Sequence, residues 1–210
     1  MSAYKTIAET VDTELEIQRS RFLTRLVRVE SEEAAREVIA KVKAEHPRAR
    51  HHCTAFVIGQ DARLARSNDD GEPSGTAGAP MLEALQAAGL SDVVAVVTRY
   101  FGGVLLGAAG LTRAYRAGVA SAVDKARTVI RQEQQRVTAT VTYEQAGPLT
   151  AAARRLGIAV GDASYSDVVA QDFWLTTDTD ADHRFLELVA AHTAGTGRVE
   201  FKEMQFRDQT

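Results

Sequence analysis

The sequence predicts an α+β protein of two domains, and three observations lead there. Over residues 1–128, amphipathic runs with a helical period alternate with short strand-like runs. Beyond residue 128 the rhythm restarts and follows the order β-α-β-β-α-β. At 210 residues the chain is long enough to bury two small cores or one large one. The expected domains are therefore residues 1–128 and 129–210.

The elements follow in order. SEEAAREVIAKVKAEH predicts an amphipathic helix: Ser31 is placed to cap its N-terminus, Glu32 and Glu33 favour the first turn, and Ala35, Val38, Ile39 and Val42 form one stripe. His46 and Pro47 end it. RHHCTAFVIG predicts a strand with His51, Cys53, Ala55 and Val57 on one face and His52, Thr54, Phe56 and Ile58 on the other. PMLEALQAAGL reads as a helix begun by Pro80, and DVVAVVTRYF as a strand buried on both faces. GGVLLGAAG leads into LTRAYRAGVASAVDKA, a helix whose Ala114, Ala117, Gly118, Ser121 and Ala122 suit close packing on a sheet. TVIRQEQQ reads equally as a short linker or a strand. After it, RVTATVTYE alternates as a strand, GPLTAAARRLG is a short helix closed by Gly157, IAVGDASYS and VVAQDFWLTT are strands, ADHRFLELVAAHTAG is a helix and RVEFKEMQF a final strand. That order is the ferredoxin-like one.

Composition narrows the function classes. Hydrophobic residues are 45% and charged residues 25%, and no apolar run approaches the roughly 18 residues of a transmembrane helix. The opening MSAYKTIAET lacks a secretory pattern, which predicts a cytoplasmic protein without a membrane partner. Cys53 is the only cysteine, so an intrachain disulfide and a multi-thiolate zinc site are both excluded. The net charge of -3 divides unevenly: residues 1–128 carry 17 Lys+Arg against 16 Asp+Glu, and residues 129–210 carry 8 against 12. Neither half is a basic clamp, so any RNA contact must come from a local patch.

Two stretches hold the candidate chemistry, SNDDGEPSGTAGAP at 67–80 and TRYFGGVLLGAAGLTRAY at 98–115. The first is not a calcium loop: with Gly71 in the invariant glycine position, the first ligand would be Arg66 and the last Ala77. Asp69, Asp70 and Glu72 remain open both to weak magnesium binding beside a phosphate and to a solvated acidic turn. Ser74 lies outside a G-x-S-x-G elbow, so its hydroxyl and that of Thr76 are expected to bond the loop backbone or cap the following helix. The second stretch has neither GK[ST] nor G-x-G-x-x-G. It offers a glycine turn before a helix N-terminus, with Arg99 at a strand end and Arg113 and Arg116 on one helical face. Two readings stand. The arginines converge on an outside phosphate or carboxylate, or they pair with Asp69, Asp70 and Glu72 and fasten the loops together. Tyr100 and Phe101 are open to base stacking or to core packing. His51 and Cys53 share a face but fall short of a closed zinc site, and buried polar strand residues are expected.

Taken together, SRFL at 20–23, H-x-C-x-A at 51–55, DDGEPSGTAG at 69–78, and TRYFGG with GLTRAY within 98–115 resemble the YigZ/IMPACT family. The resemblance covers about the first 125 residues. It implies an N-terminal α/β sandwich similar to domain 2 of ribosomal protein S-five. The C-terminal region is similar to a ferredoxin-like domain of elongation factor G. It further implies a translation-associated regulatory or binding protein, contacting RNA, the ribosome or a ribosome-associated protein, with no cofactor. Eukaryotic members similar in the N-terminal domain compete for a ribosome-associated activator of a translation-initiation kinase. The chain departs from the family pattern at Leu105, where a lysine is expected, and at Ala109, where a glycine is expected; the missing lysine weakens anion binding at this turn. The expected recognition surface comprises Arg66, Asp69, Asp70, Glu72, Ser74, Thr76, Arg99, Tyr100, Arg113 and Arg116. The alternatives are an enzyme acting on a small phosphorylated or peptide-like substrate, and a protein-protein module.

Overall fold

Five consecutive apolar residues, Val93 to Val97, leave no polar side for water, and in the computed structural model, which describes residues 3–209, they lie at the centre of a sheet. The chain runs β1 (Ala3–Ile7), β2 (Val11–Ile17), β3 (Ser20–Arg28), α1 (Glu32–Glu45), β4 (His51–Ile58), β5 (Leu64–Asn68), α2 (Gly78–Ala87), β6 (Val93–Tyr100) and α3 (Gly107–Lys125). It continues through β7 (Thr128–Val141), α4 (Tyr143–Arg155), β8 (Ala159–Tyr165), β9 (Val169–Thr176), α5 (Ala181–Thr193) and β10 (Arg198–Asp208). Two compact units result, one formed by Tyr4–Ile130 and the other mainly by Arg131–Gln209. None of the helices described is long and apolar enough to cross a membrane.

In the first unit the sheet order is β2-β3-β6-β4-β5, and every adjacent pair is antiparallel. Strand alternation sends the two faces into separate cores. Cys53, Ala55, Val57, Val93, Ala95 and Val97 pack with Met81 and Leu85 of α2 and with Leu111, Tyr115 and Val119 of α3. Phe56, Ile58, Val94 and Val96 pack with Ala35 and Val42 of α1. The product is a three-layer sandwich, and both β4 faces carry the residues that alternation assigns them. Ser31 caps α1 as expected, its Oγ accepting from the Ala34 N–H at 3.1 Å.

Four strands, β1, β2, β3 and β5, are additional to the elements expected from sequence. The β2–β3 hairpin turns on Gln18 and Arg19, both at positive φ (49° and 64°), the backbone of a two-residue turn matched to strand twist. α2 begins at Gly78 instead of Pro80, and α4 at Tyr143 instead of Gly147. α4 starts early because the Gln145 side chain accepts the Thr142 N–H at 3.1 Å and closes its first turn. TVIRQEQQ is strand throughout, the first half of β7.

In the second unit β7 lies between β9 and β10, and β8 pairs the far side of β9, all antiparallel. The order β10-β7-β9-β8 is the ferredoxin-like arrangement. Val137, Ala139, Val169, Phe173 and Leu175 from its strands pack on Leu149 of α4 and on Phe185 and Val189 of α5.

Candidate functional site

The separated sequence motifs meet at one end of the first sheet. Antiparallel register sets Phe22, Arg99 and His51 side by side across β3, β6 and β4, because β6 ends where β3 and β4 begin. The alternation that sends Val97 into the α2–α3 layer sends Arg99 there too, and places Tyr100 on the α1 face. The loop from Asn68 to Ala77 folds over the same side as Arg99.

Each carboxylate of that loop has internal partners. Asp69 Oδ1 accepts the Ala77 and Gly78 N–H groups at 3.0 and 2.8 Å, and Oδ2 accepts the Gly75 N–H at 2.8 Å. It thereby satisfies orphan donors at the α2 N-terminus and replaces Ser74 or Thr76 as the cap. Burial alone would raise the Asp69 pKa, yet these three donors hold it below the ordinary carboxylate value. Asp70 Oδ2 accepts the His52 N–H at 2.7 Å, and Oδ1 pairs with Lys43 Nζ at 2.9 Å. Its pKa is also lowered, burial being outweighed by Lys43 and the His52 N–H. Thr76 Oγ1 donates to the Pro73 carbonyl at 2.6 Å, while Ser74 is exposed and outside this network.

Glu72 occupies the centre. Its Oε1 accepts from Arg99 Nη1 at 2.8 Å and from the Tyr115 hydroxyl at 2.6 Å. The Glu72 and Arg99 side chains are 4% and 8% exposed. The Arg99 guanidinium lies 5.5 Å from the Phe22 ring centroid and 5.7 Å from that of Phe101, and its Nη2 reaches Ser20 Oγ at 3.4 Å. Its Nε has no hydrogen-bond partner among the described residues. A charge this buried is held by its counter-ion and rings. Arg99 therefore fastens two loops and is not open to an outside anion, which corrects its expected role as a contact residue. Beside it the Cys53 thiol donates to the Asp69 carbonyl at 3.0 Å, and burial pushes its pKa up to about 12, which keeps it protonated and a poor nucleophile.

The remaining expected residues lie apart from this joint. Tyr100, across the sheet, has its hydroxyl 3.1 Å from His46 Nδ1. Arg66 on β5 is exposed and 3.4 Å from Glu32 of α1. Arg116 pairs with Glu83 at the surface, and Arg113 is exposed without an ion pair among the described residues. Arg66, Arg99, Arg113 and Arg116 thus do not converge on one point. Tyr115, Ser20 and Phe22 belong to the joint although only their motifs stood out in the sequence. Tyr115 was legible: it follows Leu111 by four residues on the buried stripe of α3, where a phenol needs a buried partner.

Two glycines make the closure possible. A Cβ at Gly78 would sit 2.8 Å from the Asn68 backbone N, and one at Gly102 would overlap the Arg19 carbonyl. Gly102 thereby lets the turn after β6 rest on the β2–β3 hairpin, where its N–H donates to Ser20 Oγ at 3.3 Å. No group of three or more His, Cys, Asp or Glu among the described residues is placed to hold a metal ion.

The Impact N-terminal domain matches residues 18–123, a span that contains every strand and loop of this joint. The chain belongs to the IMPACT family. It is 36% identical over 209 residues to the IMPACT family member YvyE of Bacillus subtilis, covering 100% of this chain and 95% of that one. It is 43% identical over 157 residues to the IMPACT family member YigZ of Escherichia coli, covering 74% and 76%. A solved structure described as a hypothetical protein matches with a TM-score of 0.66 at 34% identity, covering 97% of this chain and 98% of that one. The matched span thus holds Ser20, Phe22, Glu72, Arg99 and Tyr115, the residues that close the joint.

Proposed function

We propose that this chain is a translation-associated binding protein that contacts the ribosome through the turn after β6 and the first turns of α3. Membership of the IMPACT family, a family associated with translation regulation, supports the process. One observation carries the surface: within six residues the turn exposes Phe101 (54%), Val104 (38%) and Leu105 (85%). Large apolar side chains clustered on an exposed turn mark interaction sites. The turn is held from behind by the Glu72–Arg99 joint and by Gly102 on the hairpin, so docking costs little ordering entropy.

Arg113 and Arg116 give this turn a cationic flank. The Arg116–Glu83 pair is exposed on both sides and contributes little, so a phosphate competes for it readily. In a chain of net charge -3, such a local patch is the kind of surface through which RNA contact would act. The enzymatic alternative is disfavoured at the acidic loop, because the carboxylates of Asp69, Asp70 and Glu72 already hold internal donors.

The test is cosedimentation with purified ribosomes at several salt concentrations. Phe101→Ala with Leu105→Ala is expected to abolish cosedimentation, and Arg113→Ala with Arg116→Ala to weaken it most at low salt. Unchanged cosedimentation of both double variants overturns the assignment.

A further inference from the structure

We propose that the concavity between the start of β3, the end of β6 and the α1–β4 connection binds the phosphate group of a nucleotide. It is an open depression of about 460 Å³, lined by Arg21, Leu23, His46, Arg48 and Tyr100. That volume suits a ligand of nucleotide size. It lies on the α1 face of the sheet, opposite the face that carries Arg99, and does not rest on the reading of the exposed turn.

The lining chemistry selects the ligand. Two guanidinium groups and an imidazole line the space, with no carboxylate among the described residues that do so. Concave surfaces of one charge sign concentrate the field and attract the opposite sign. Arg48 is exposed and makes no ion pair among the described residues. Arg21 is held by Glu14, with Nε and Nη2 at 2.6 and 3.1 Å from its two carboxylate oxygens, outside the lining. Both partners of that pair are about half exposed, so water screens it and a phosphate can displace Glu14 or share the guanidinium. Planar forks of this kind fit phosphate oxygens two at a time.

The other wall is apolar and fixed. The Tyr100 hydroxyl is hydrogen-bonded to His46 Nδ1, the two rings meet edge to face with centroids 6.0 Å apart, and the Arg21 guanidinium lies 5.9 Å from the Tyr100 centroid. Leu23 continues this wall. A phosphate at Arg21 and Arg48 leaves the attached base against Tyr100 and Leu23. That pairing of charge with an aromatic surface distinguishes a nucleotide from a bare anion.

Isothermal titration of the full chain with inorganic phosphate, adenosine, AMP, and hexauridylate with and without a 5′-phosphate tests this. AMP or the 5′-phosphorylated RNA is expected to bind more tightly than phosphate or adenosine, and the tighter of the two names the source of the phosphate. Arg48→Ala and Arg21→Ala should each weaken that binding by about tenfold, the loss typical of a charge-assisted hydrogen bond. Tyr100→Ala should reduce the preference over inorganic phosphate, and Tyr100→Phe should retain it. Arg48 is exposed in a connection, so its variant keeps the native melting temperature and reports on binding alone. Absence of binding by both AMP and phosphorylated RNA, or equal binding by wild type and Arg48→Ala, overturns the proposal. The Leu105 and Arg113 variants should leave AMP binding unchanged, so this site and the ribosome contact fail or succeed separately.

Discussion

Removing either charge of the Glu72–Arg99 pair strands the other in a site that water barely reaches. Among the described residues, Arg99→Ala leaves the Glu72 carboxylate with only the Tyr115 hydroxyl, and Glu72→Ala leaves the guanidinium between Phe22 and Phe101 with the Ser20 hydroxyl. Breaking a buried pair in this way costs about 3–5 kcal/mol. For a unit of about 130 residues, with an unfolding entropy of about 2.1 cal/mol/K per residue, each kcal/mol lowers Tm by about 4 °C. Each single variant should therefore melt about 10–20 °C below wild type. The triple variant Glu72→Leu, Arg99→Met, Tyr115→Phe removes both charges and the phenol together, and is expected to be more stable than either single variant. Thermal and urea unfolding followed by circular dichroism give the comparison. An Arg99→Ala protein within about 0.5 kcal/mol of wild type would refute the argument, since such a value belongs to an exposed side chain.

Three further outcomes follow from the same geometry. Gly102→Ala should lower the urea midpoint of the first unit, because its methyl meets the Arg19 carbonyl; Gly103→Ala, whose Cβ would meet nothing within 4 Å, pays only for its φ of 86° and should cost less. Asp69 and Asp70 titrate below their ordinary range in the folded state, so the stability they contribute is present above about pH 4–5 and is lost as pH falls through the unfolded-state value toward the folded one. Asp69→Asn should flatten the decline of the urea midpoint over that acid range, in addition to lowering stability at neutral pH. Cys53 should resist a thiol-specific disulfide reagent at pH 8 in the native protein and react at the rate of a free thiol once urea unfolds the chain.

Local rules determined much of this molecule. The period-two pattern of residues 51–58 assigned both faces of β4, Ser31 marked the start of α1, the unbroken apolar run of 93–97 marked the central strand, and the order of elements after residue 128 gave the second sheet. The alternation of Val11, Thr13, Leu15 and Ile17 with Asp12, Glu14 and Glu16 carries the β2 signal as well. Each is a regularity of backbone geometry, so neighbours in sequence suffice to express it.

Which charges answer which is a different matter. Glu72, Arg99 and Tyr115 are separated by up to 43 residues, and only strand register and helix packing bring them together. Arg99 and Arg113 look alike in the sequence, yet sheet alternation turns one into a sealed interior while a helix surface leaves the other in water. The concavity at Arg21, Arg48 and Tyr100 is likewise assembled from a strand start, a connection and a strand end. Composition and spacing named Arg66, Arg99, Arg113 and Arg116 as groups able to meet an anion and left Arg21 and Arg48 unmarked; desolvation and long-range pairing, set by the tertiary fold, decide which of these charges remain free to do so.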